Sequence, residues 1–351
     1  MKALVYEGGG RRSWTEVSEP GIKDPEDAIV NVDAVTICGT DLHILRGDVP
    51  EVTPGRVLGH EAVGTVVDVG SAVRDVTVGD RVLVSCISAC GRCRYCREAR
   101  YGQCLGGGGW VLGHLIDGTQ AEYVRVPFAD RSLHHLPAAL SDEQALLVAD
   151  ILPTSYEVGV LTGRVSPGDV VVIVGAGPIG LAALLTSRLF SPSHVLVVDP
   201  VESRRDLALE LGGDAAMDPD DDVAEVLGSW TDGLGADVAI EAVGVPGTFE
   251  MCADLLRPGG RLANVGVHGR PATLHLENLW SRDLTITTGL VDTATSPLLL
   301  RMLAQARLEV SALVTHRLPL DRMEDAYQIF ADATGTGALK VALHRDLRTT
   351  A

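Results

Sequence analysis

The sequence predicts an α/β protein of two domains, an irregular β-rich domain and a doubly wound parallel sheet. Its 351 residues exceed the usual length of a domain built around a single hydrophobic core. Up to about residue 128, short runs alternate apolar and polar residues, which is typical of half-buried β-strands. From about residue 154, continuous apolar strands alternate with helical segments. This second pattern is typical of a parallel sheet covered by helices on both faces.

The composition limits the partners that we expect. The formal net charge of −18 leaves little basic surface for a phosphate backbone, so we expect no nucleic-acid partner. The N-terminal segment reaches Glu7 too soon for a signal peptide, and no apolar run approaches the ~18 residues of a membrane span. These features predict a cytoplasmic protein with no membrane partner. In that compartment, seven cysteines indicate metal binding rather than disulfides.

The segment between residues 38 and 61 gathers groups that suit a catalytic metal ion. The side chains are those of Cys38, Thr40, Asp41, His43, His60 and Glu61. A catalytic zinc takes thiolate, imidazole or carboxylate groups at three positions and keeps a fourth open for substrate. Cys38 and His60 supply two such ligands. Each alone is more typical of a core cysteine or a hydrogen-bonded histidine, so the prediction depends also on the motifs below.

Asp150 is the candidate for the third ligand. A helix is predicted to begin at residues 141–143, and the apolar run 145–149 then leads to Asp150. A carboxylate is rarely buried without a partner. Helix capping is the alternative role, but the position directly before residues 151–154 favours a metal partner.

Four cysteines predict a second, closed metal site. Cys90, Cys93, Cys96 and Cys104 are spaced three, three and eight residues apart. Four thiolates complete a tetrahedral zinc site and leave no position for substrate, so its role is structural. The alternatives are an iron–sulfur cluster and a redox thiol pair. Gly102 and the glycines at 106–109 give this lobe little core of its own, so the metal would hold its loops together.

A dinucleotide-binding fingerprint opens the second domain. The strand at 170–174 runs into Gly175-Ala176-Gly177-Pro178-Ile179-Gly180, then a helix and a strand that ends at Asp199. Such glycines let the backbone approach a pyrophosphate at a helix N-terminus. Asp199 would accept the ribose hydroxyls and repel a 2′-phosphate, which favours NAD. Arg204 and Arg205 lie nearby and could bind the 2′-phosphate of NADP, but we interpret them as surface residues of the next helix.

The strand and helix pattern continues to the C-terminus. Further strands are predicted at 237–241, 260–266 and 284–289, with helices near 222–230 and 248–257. With the two strands of the fingerprint these make five, and we expect them to belong to a doubly wound sheet of six strands. From residue 296 we predict two more helices and a final strand at 339–343.

With these motifs in this order, the chain resembles the zinc-dependent alcohol dehydrogenases of the medium-chain dehydrogenase/reductase superfamily over essentially its whole length. The resemblance implies a GroES-like catalytic domain, residues 1–153 and 290–351, with a structural zinc lobe at about 88–108. It implies a Rossmann NAD-binding domain at 154–289 and an active site in the cleft. It further implies two zinc ions per subunit, NAD, a small alcohol, aldehyde or ketone substrate, and a homotetramer or dimer.

The resemblance also implies roles for individual residues. Cys38, His60 and Asp150 would bind the catalytic zinc, and Glu61 would be able to approach it. Asp41 would orient His60, a role that ligating imidazoles generally need filled.

Further roles concern the proton and the cofactor. Thr40 and His43 would be the protein ends of a proton relay through the cofactor ribose; for His43 the alternative is an ordinary surface histidine. Thr154, Val265 and Leu290 would lie around the nicotinamide, and Lys340 near the pyrophosphate.

The predicted function is hydride transfer between a primary or secondary alcohol and NAD. Cys86 stands where the family often has an aromatic pocket residue, which predicts a wider substrate pocket unless Cys86 is ordinary strand core. The apolar stretch that begins at Trp110 favours simple alcohols. The alternatives are a polyol, butanediol or amino-alcohol dehydrogenase and a non-catalytic NAD-binding protein, although the latter would be expected to lack the ligands of an open metal site.

Overall fold

The computed structural model describes residues 1–347. Contacts divide the chain into two units, Met1–Pro153 with Val291–Ala351, and Thr154–Leu290. Leu290, which the sequence analysis assigns to the first domain, lies in the second unit. None of the helices in residues 1–347 combines the length and the hydropathy that a bilayer crossing requires.

Fifteen strands form within the described residues. In chain order they are β1 Lys2–Gly8, β2 Arg11–Glu16, β3 Ala28–Thr36, β4 Ala62–Val69, β5 Arg81–Val84, β6 Tyr123–Val126, β7 Leu133–His135, β8 Val170–Val174, β9 His194–Val198, β10 Ala215–Met217, β11 Ala236–Glu241, β12 Leu256–Asn264, β13 Thr285–Thr288, β14 Val314–Pro319 and β15 Lys340–His344. The predicted α/β fold class is confirmed.

Thirteen α-helices accompany these strands in the described part of the chain. They are α1 Gly39–Arg46, α2 Arg94–Arg97, α3 Ala129–Ser132, α4 Asp142–Leu146, α5 Ile151–Thr154, α6 Pro178–Ser187, α7 Glu202–Glu210, α8 Val223–Trp230, α9 Pro246–Leu255, α10 Leu276–Leu279, α11 Ser296–Ala304, α12 Met323–Ala331 and α13 Ala333–Thr336. A π-helix spans Ser155–Leu161, and 3₁₀ turns span Tyr101–Gln103, Arg188–Phe190, Ser311–Leu313 and Leu320–Arg322. Helix α4 begins where predicted, because Ser141 and Gln144 form a capping box.

The first unit contains a two-stranded sheet, β1–β2, and a seven-stranded sheet in the order β14-β15-β3-β4-β5-β7, with β6 paired to β3. Val35 of β3 lies opposite Ala62 of β4, and Ala62 lies opposite Val84 of β5. Strand β15 is also antiparallel to β3, with Ala342 opposite Thr36. The residues after β3 and β5 and those at the starts of β4 and β15 therefore lie at one edge of this sheet.

The second unit is a six-stranded parallel sheet in the order β10-β9-β8-β11-β12-β13. Strand β8 is buried along its whole length, as its continuous apolar run predicts. The strand order reverses at β8, and ligands of doubly wound sheets bind beyond the carboxyl end of such a strand. Strand β10 is not predicted from the sequence, because its three residues are too few to show the alternation typical of a strand.

Candidate metal and cofactor sites

The edge of the first unit's sheet brings four potential metal ligands together. Cys38 follows β3, and His60 and Glu61 directly precede β4. One donor atom from each of Cys38, His60, Glu61 and Asp150 lies within 4.8 Å of all the others. Asp150 Oδ2 is 3.4 Å from Cys38 Sγ and 3.4 Å from His60 Nε2. Thiolate, imidazole and carboxylate are the ligand types that zinc binds in proteins.

The electrostatics of this cluster fit a cation. Burial and the neighbouring Asp150 raise the pKa of the Cys38 thiol, and burial raises the pKa of Glu61 to about 7. Burial acts to lower the pKa of His60, but hydrogen bonds to Asp150 and Cys38 outweigh it and raise that pKa well above its ordinary value. Several acidic groups are thus crowded into one buried space. A divalent cation among them would relieve that repulsion.

Lys340 is buried beside Glu61. It opens β15, and the pairing of β15 with the end of β3 buries its side chain, which is 2% exposed. Its Nζ donates to Glu61 Oε2 at 2.5 Å and to the Ile37 carbonyl at 3.1 Å. The ammonium group thus lies in a buried ion pair with Glu61, and its predicted place near a pyrophosphate stays a prediction.

Among the residues that the structure describes, no hydrogen bond joins Asp41 to His60, the residue that Asp41 is predicted to orient. In helix α1 its Oδ2 accepts the Cys38 backbone N–H at 2.9 Å, as in a capping box, and the Gln120 side-chain amide at 3.0 Å. Within residues 1–347, Asp41 Oδ1 and His60 Nδ1 are both buried without a hydrogen-bond partner. The Asp41 charge nevertheless acts on His60 and contributes to its raised pKa.

The two candidate relay residues lie on the first turns of α1. Thr40 Oγ1 is 3.6 Å from Cys38 Sγ, which puts the hydroxyl beside the metal cluster. His43 Nδ1 is 2.8 Å from Asp48 Oδ2. The spacing of three residues places Thr40 and His43 on the same face of the helix.

Both candidate pocket residues lie beside the cluster. Cys86 follows β5, is buried, and its Sγ is 3.7 Å from Asp150 Oδ1. The Trp110 ring meets His60 edge-on with centroids 6.2 Å apart, and its indole stacks on His114 at 4.2 Å. The sequence analysis missed His114, since a histidine within an otherwise apolar stretch carries no distinctive spacing.

The four cysteines of the lobe also converge. Their sulfur atoms lie within 4.8 Å of one another, and all seven cysteines of the chain are free thiols. Backbone N–H groups of Cys96 and Leu105 lower the pKa of Cys93 to about 6, whereas burial raises the pKa of Cys96 to about 12. A Cβ on Gly106 would lie 2.5 Å from Cys90 Sγ, so a glycine is needed there. The arrangement has the donor set of a closed zinc site.

The glycine loop of the second unit follows β8 and leads into α6. Gly175 has φ +104°, which favours glycine, and a Cβ on Gly180 would lie 1.7 Å from the Gly175 carbonyl oxygen. Gly177 is the N-cap of α6 and Pro178 is at its first turn, followed by Ile179. The loop therefore presents backbone N–H groups at a helix N-terminus, as anion binding requires.

Asp199 follows β9 and connects two loops. Its Oδ2 accepts the Ala176 N–H at 2.7 Å and its Oδ1 accepts the Val201 N–H at 2.9 Å. Arg204 NH1 lies 3.9 Å from Asp199 Oδ2, and Arg205 donates to the Asp199 carbonyl and to Asp218. Both arginines are thus held beside the aspartate.

Three further cofactor candidates belong to the second unit. Val265 follows β12, where its N–H donates to the Glu241 carbonyl at 2.9 Å, and Leu290 follows β13. Both thus lie beyond the carboxyl ends of parallel strands, the edge at which such sheets bind ligands. Thr154 ends α5.

Comparisons with known proteins give the family. Residues 24–138 match the model of the alcohol dehydrogenase GroES-like domain, and residues 178–305 match that of the zinc-binding dehydrogenases. An alcohol dehydrogenase from Cupriavidus necator is 36% identical over 363 residues, which cover 98% of this chain and 98% of that protein. This chain belongs to the zinc-dependent alcohol dehydrogenases. The predicted family, and with it an oxidoreductase that acts on alcohols, is confirmed.

Solved structures of zinc-dependent dehydrogenases share the whole fold. Zinc dependent alcohol dehydrogenase 2 from Streptococcus pneumonia is 45% identical with a TM-score of 0.94, and the match covers 100% of both chains. A putative zinc-binding dehydrogenase from Sinorhizobium meliloti 1021, bound to NADP, is 30% identical with a TM-score of 0.84 over 98% of each chain. As a member of this family, the chain uses zinc and a nicotinamide cofactor.

Proposed function

We propose that this alcohol dehydrogenase uses NAD and a catalytic zinc held by Cys38, His60 and Asp150, with Glu61 as an additional nearby carboxylate. The observation that carries the proposal is the buried cluster in which these donor atoms lie within 4.8 Å of one another. Three ligands leave one position of a tetrahedral zinc open, as a catalytic site requires. Cys90, Cys93, Cys96 and Cys104 would hold a second zinc.

The residues around the cluster suit proton removal from an alcohol. Bound zinc lowers the pKa of a coordinated water from about 15.7 to about 7, and a hydroxyl group of substrate would gain comparably. Thr40 lies beside Cys38, and its hydroxyl is proposed to accept the alcohol proton while passing its own proton onward towards His43. His43, held by Asp48, is proposed to release the proton to solvent. A bound nicotinamide would supply the hydride acceptor.

A substrate panel run beside metal analysis tests the proposal. Primary, secondary, aromatic and polyol substrates are each supplied with NAD or NADP, and formation of the reduced cofactor is followed. We expect simple alcohols to be oxidised faster than polyols, and NAD to be reduced faster than NADP. We also expect about two zinc ions per chain. Protein that holds one closed zinc per chain and oxidises no alcohol with either coenzyme would contradict the proposal.

The width of the substrate pocket is proposed to depend on Cys86. Its small side chain lies against Asp150, so a large ring there would fill space beside the metal cluster. We expect Cys86→Trp to lower kcat/KM for bulky secondary alcohols by at least about tenfold and for ethanol by much less, because a filled pocket discriminates by size. Steady-state kinetics with both substrates measure the change in kcat/KM for each. Undiminished activity on the bulky alcohol would show that Cys86 is only part of the strand core.

A second candidate function, oxidation of a polyol, butanediol or amino alcohol, is supported by His114. Its ring stacks on Trp110, and its Nδ1 is 3.0 Å from the Trp110 carbonyl oxygen. A carbonyl only accepts, so Nδ1 carries the proton and Nε2 of the neutral ring is an acceptor. Such an acceptor suits a second hydroxyl. Faster turnover of diols than of simple alcohols in the panel would favour this candidate.

The preference for NAD is proposed to depend on Asp199. Its carboxylate follows β9, where it would accept ribose hydroxyls and repel a 2′-phosphate. We expect Asp199→Ser to lower kcat/KM with NAD by about tenfold or more and to raise the ratio of kcat/KM with NADP to that with NAD, because Arg204 then loses the carboxylate beside it and can bind phosphate. Arg204→Gln is the control, because it removes a phosphate ligand but leaves the carboxylate. An unchanged coenzyme ratio in Asp199→Ser would contradict the assignment.

We further propose a cytoplasmic homotetramer or dimer, as the family resemblance implies. An exposed apolar side chain in the second unit supports association, since Trp280 is 79% exposed next to the exposed Leu276. Light scattering of the purified protein measures the mass, and a monomer at micromolar concentration would contradict this assembly.

A further inference from the structure

A buried chain of hydrogen bonds leads from helix α12 to the metal cluster. The Tyr327 hydroxyl donates to Gln120 Oε1 at 2.7 Å, and Gln120 Nε2 donates to Asp41 Oδ2 at 3.0 Å. The same Asp41 oxygen accepts the Cys38 N–H at 2.9 Å. Tyr327, Gln120 and Asp41 are all buried. The chain of contacts therefore ends on the backbone of a candidate metal ligand.

Chemistry allows only one direction for these bonds. Asp41 Oδ2 receives a backbone N–H, so it is an acceptor, and the Gln120 group facing it must be the NH₂. The Gln120 carbonyl then faces Tyr327, which must donate its proton. Burial raises the pKa of Tyr327 well above its ordinary value, so the phenol keeps that proton at any working pH.

Two further contacts favour this arrangement. The Arg12 guanidinium carbon lies 4.3 Å from the centroid of the Tyr327 ring, and a cation on the ring face makes the phenol a stronger donor. At the other end, a Cβ on Gly59 would lie 2.5 Å from Gln120 Cγ, so the glycine leaves the space that Gln120 fills. Gly59 directly precedes the candidate ligand His60.

We propose that Tyr327 and Gln120 are positioning residues of the catalytic metal site. They hold Asp41 by its Oδ2 and so leave Oδ1, which is buried and without a partner within residues 1–347, to accept the equally unpartnered His60 Nδ1–H once the metal is bound. With Nδ1 carrying the proton, His60 Nε2 is the atom that faces Cys38 and Asp150 as a metal ligand. This inference rests on the metal site proposed above.

The test follows zinc release from the holoenzyme to a chromophoric chelator. Partners that orient a ligand typically change metal affinity by about 10–100-fold. Tyr327 acts through two further residues, Gln120 and Asp41, so we expect the low end of that range, with Tyr327→Phe releasing the catalytic zinc about tenfold faster. Release of the structural zinc should stay unchanged. Tyr6→Phe is the matched control, because Tyr6 is buried in the same core cluster. Release of catalytic zinc at the wild-type rate in Tyr327→Phe would overturn the proposal.

A second variant separates positioning from general destabilisation. Gln120→Leu breaks both side-chain hydrogen bonds, so adding Tyr327→Phe to it should not increase the release rate further. Additive effects, or equal acceleration for both zinc ions, would instead show a structural role only and overturn the proposal. If the zinc that Cys38→Ala removes is absent from the wild type as well, the metal site itself fails, and the role of Tyr327 fails with it.

Discussion

Cys38→Ala is expected to reduce alcohol oxidation by at least about 10³-fold while cofactor binding persists. The substitution removes one of the three proposed ligands of the open zinc site, whereas the glycine loop and Asp199 belong to the other unit. Zinc lowers the pKa of a bound hydroxyl by about nine units, and each unit is a factor of ten, so loss of even part of this effect exceeds 10³. Turnover with a saturating alcohol and fluorescence titration with the reduced cofactor measure the two properties.

The control for this prediction is Cys252→Ala. Cys252 is a buried free cysteine of helix α9 in the second unit, so the same change of side chain tests for general damage. We expect the control to keep near-wild-type turnover and two zinc ions per chain. Cys38→Ala should keep only the zinc of the four-cysteine lobe. Turnover above a tenth of the wild-type rate in Cys38→Ala would exclude Cys38 as an essential ligand.

Lys340→Met is expected to lower the free energy of unfolding by about 3–5 kcal/mol, because it leaves the buried Glu61 without its counter-charge. This loss of unfolding free energy should increase as the pH rises. Burial already raises the pKa of Glu61 to about 7, and without Lys340 that pKa rises further. A raised pKa in the folded state means that stability is retained at low pH and lost as the pH rises through that value. Urea unfolding at several pH values measures both the loss and its slope.

Two variants complete this experiment. Lys340→Met combined with Glu61→Gln removes both charges, so it should recover more than half of the lost stability and show no added pH dependence. Arg317→Met breaks an exposed ion pair with Glu143 and should cost less than about 1 kcal/mol. A loss below about 1 kcal/mol for Lys340→Met itself would show that the ion pair does not stabilise the fold.

The features that the sequence predicts well are those with a local signature. Strand β8 is a continuous apolar run, and the glycines that follow it stand at fixed spacing beside a helix start. The four cysteines of the lobe lie within fifteen residues, so their spacing alone indicates one site. Strand β10 has only three residues and depends on pairing with β9, which no local pattern shows.

The parts of the site that the sequence does not predict depend on distant pairing. Lys340 reaches Glu61, 279 residues away in the chain, only because β15 lies antiparallel to β3. Tyr327 meets Gln120 across 207 residues. One carboxylate oxygen of Asp41 accepts the Cys38 N–H in the capping box of α1. The resemblance to the family does not indicate this hydrogen bond. The residues of such buried hydrogen-bond networks are far apart in the chain and leave no periodic pattern in the sequence.

The most direct test of the metal site is a crystal of zinc-loaded, active enzyme with anomalous diffraction measured at the zinc edge. Two peaks per chain are expected. One should lie about 2.0–2.3 Å from Cys38 Sγ, His60 Nε2 and an Asp150 oxygen, and the other should lie among the four lobe sulfurs. A single peak in the cysteine lobe, from crystals whose protein oxidises alcohols, would contradict the proposed catalytic zinc.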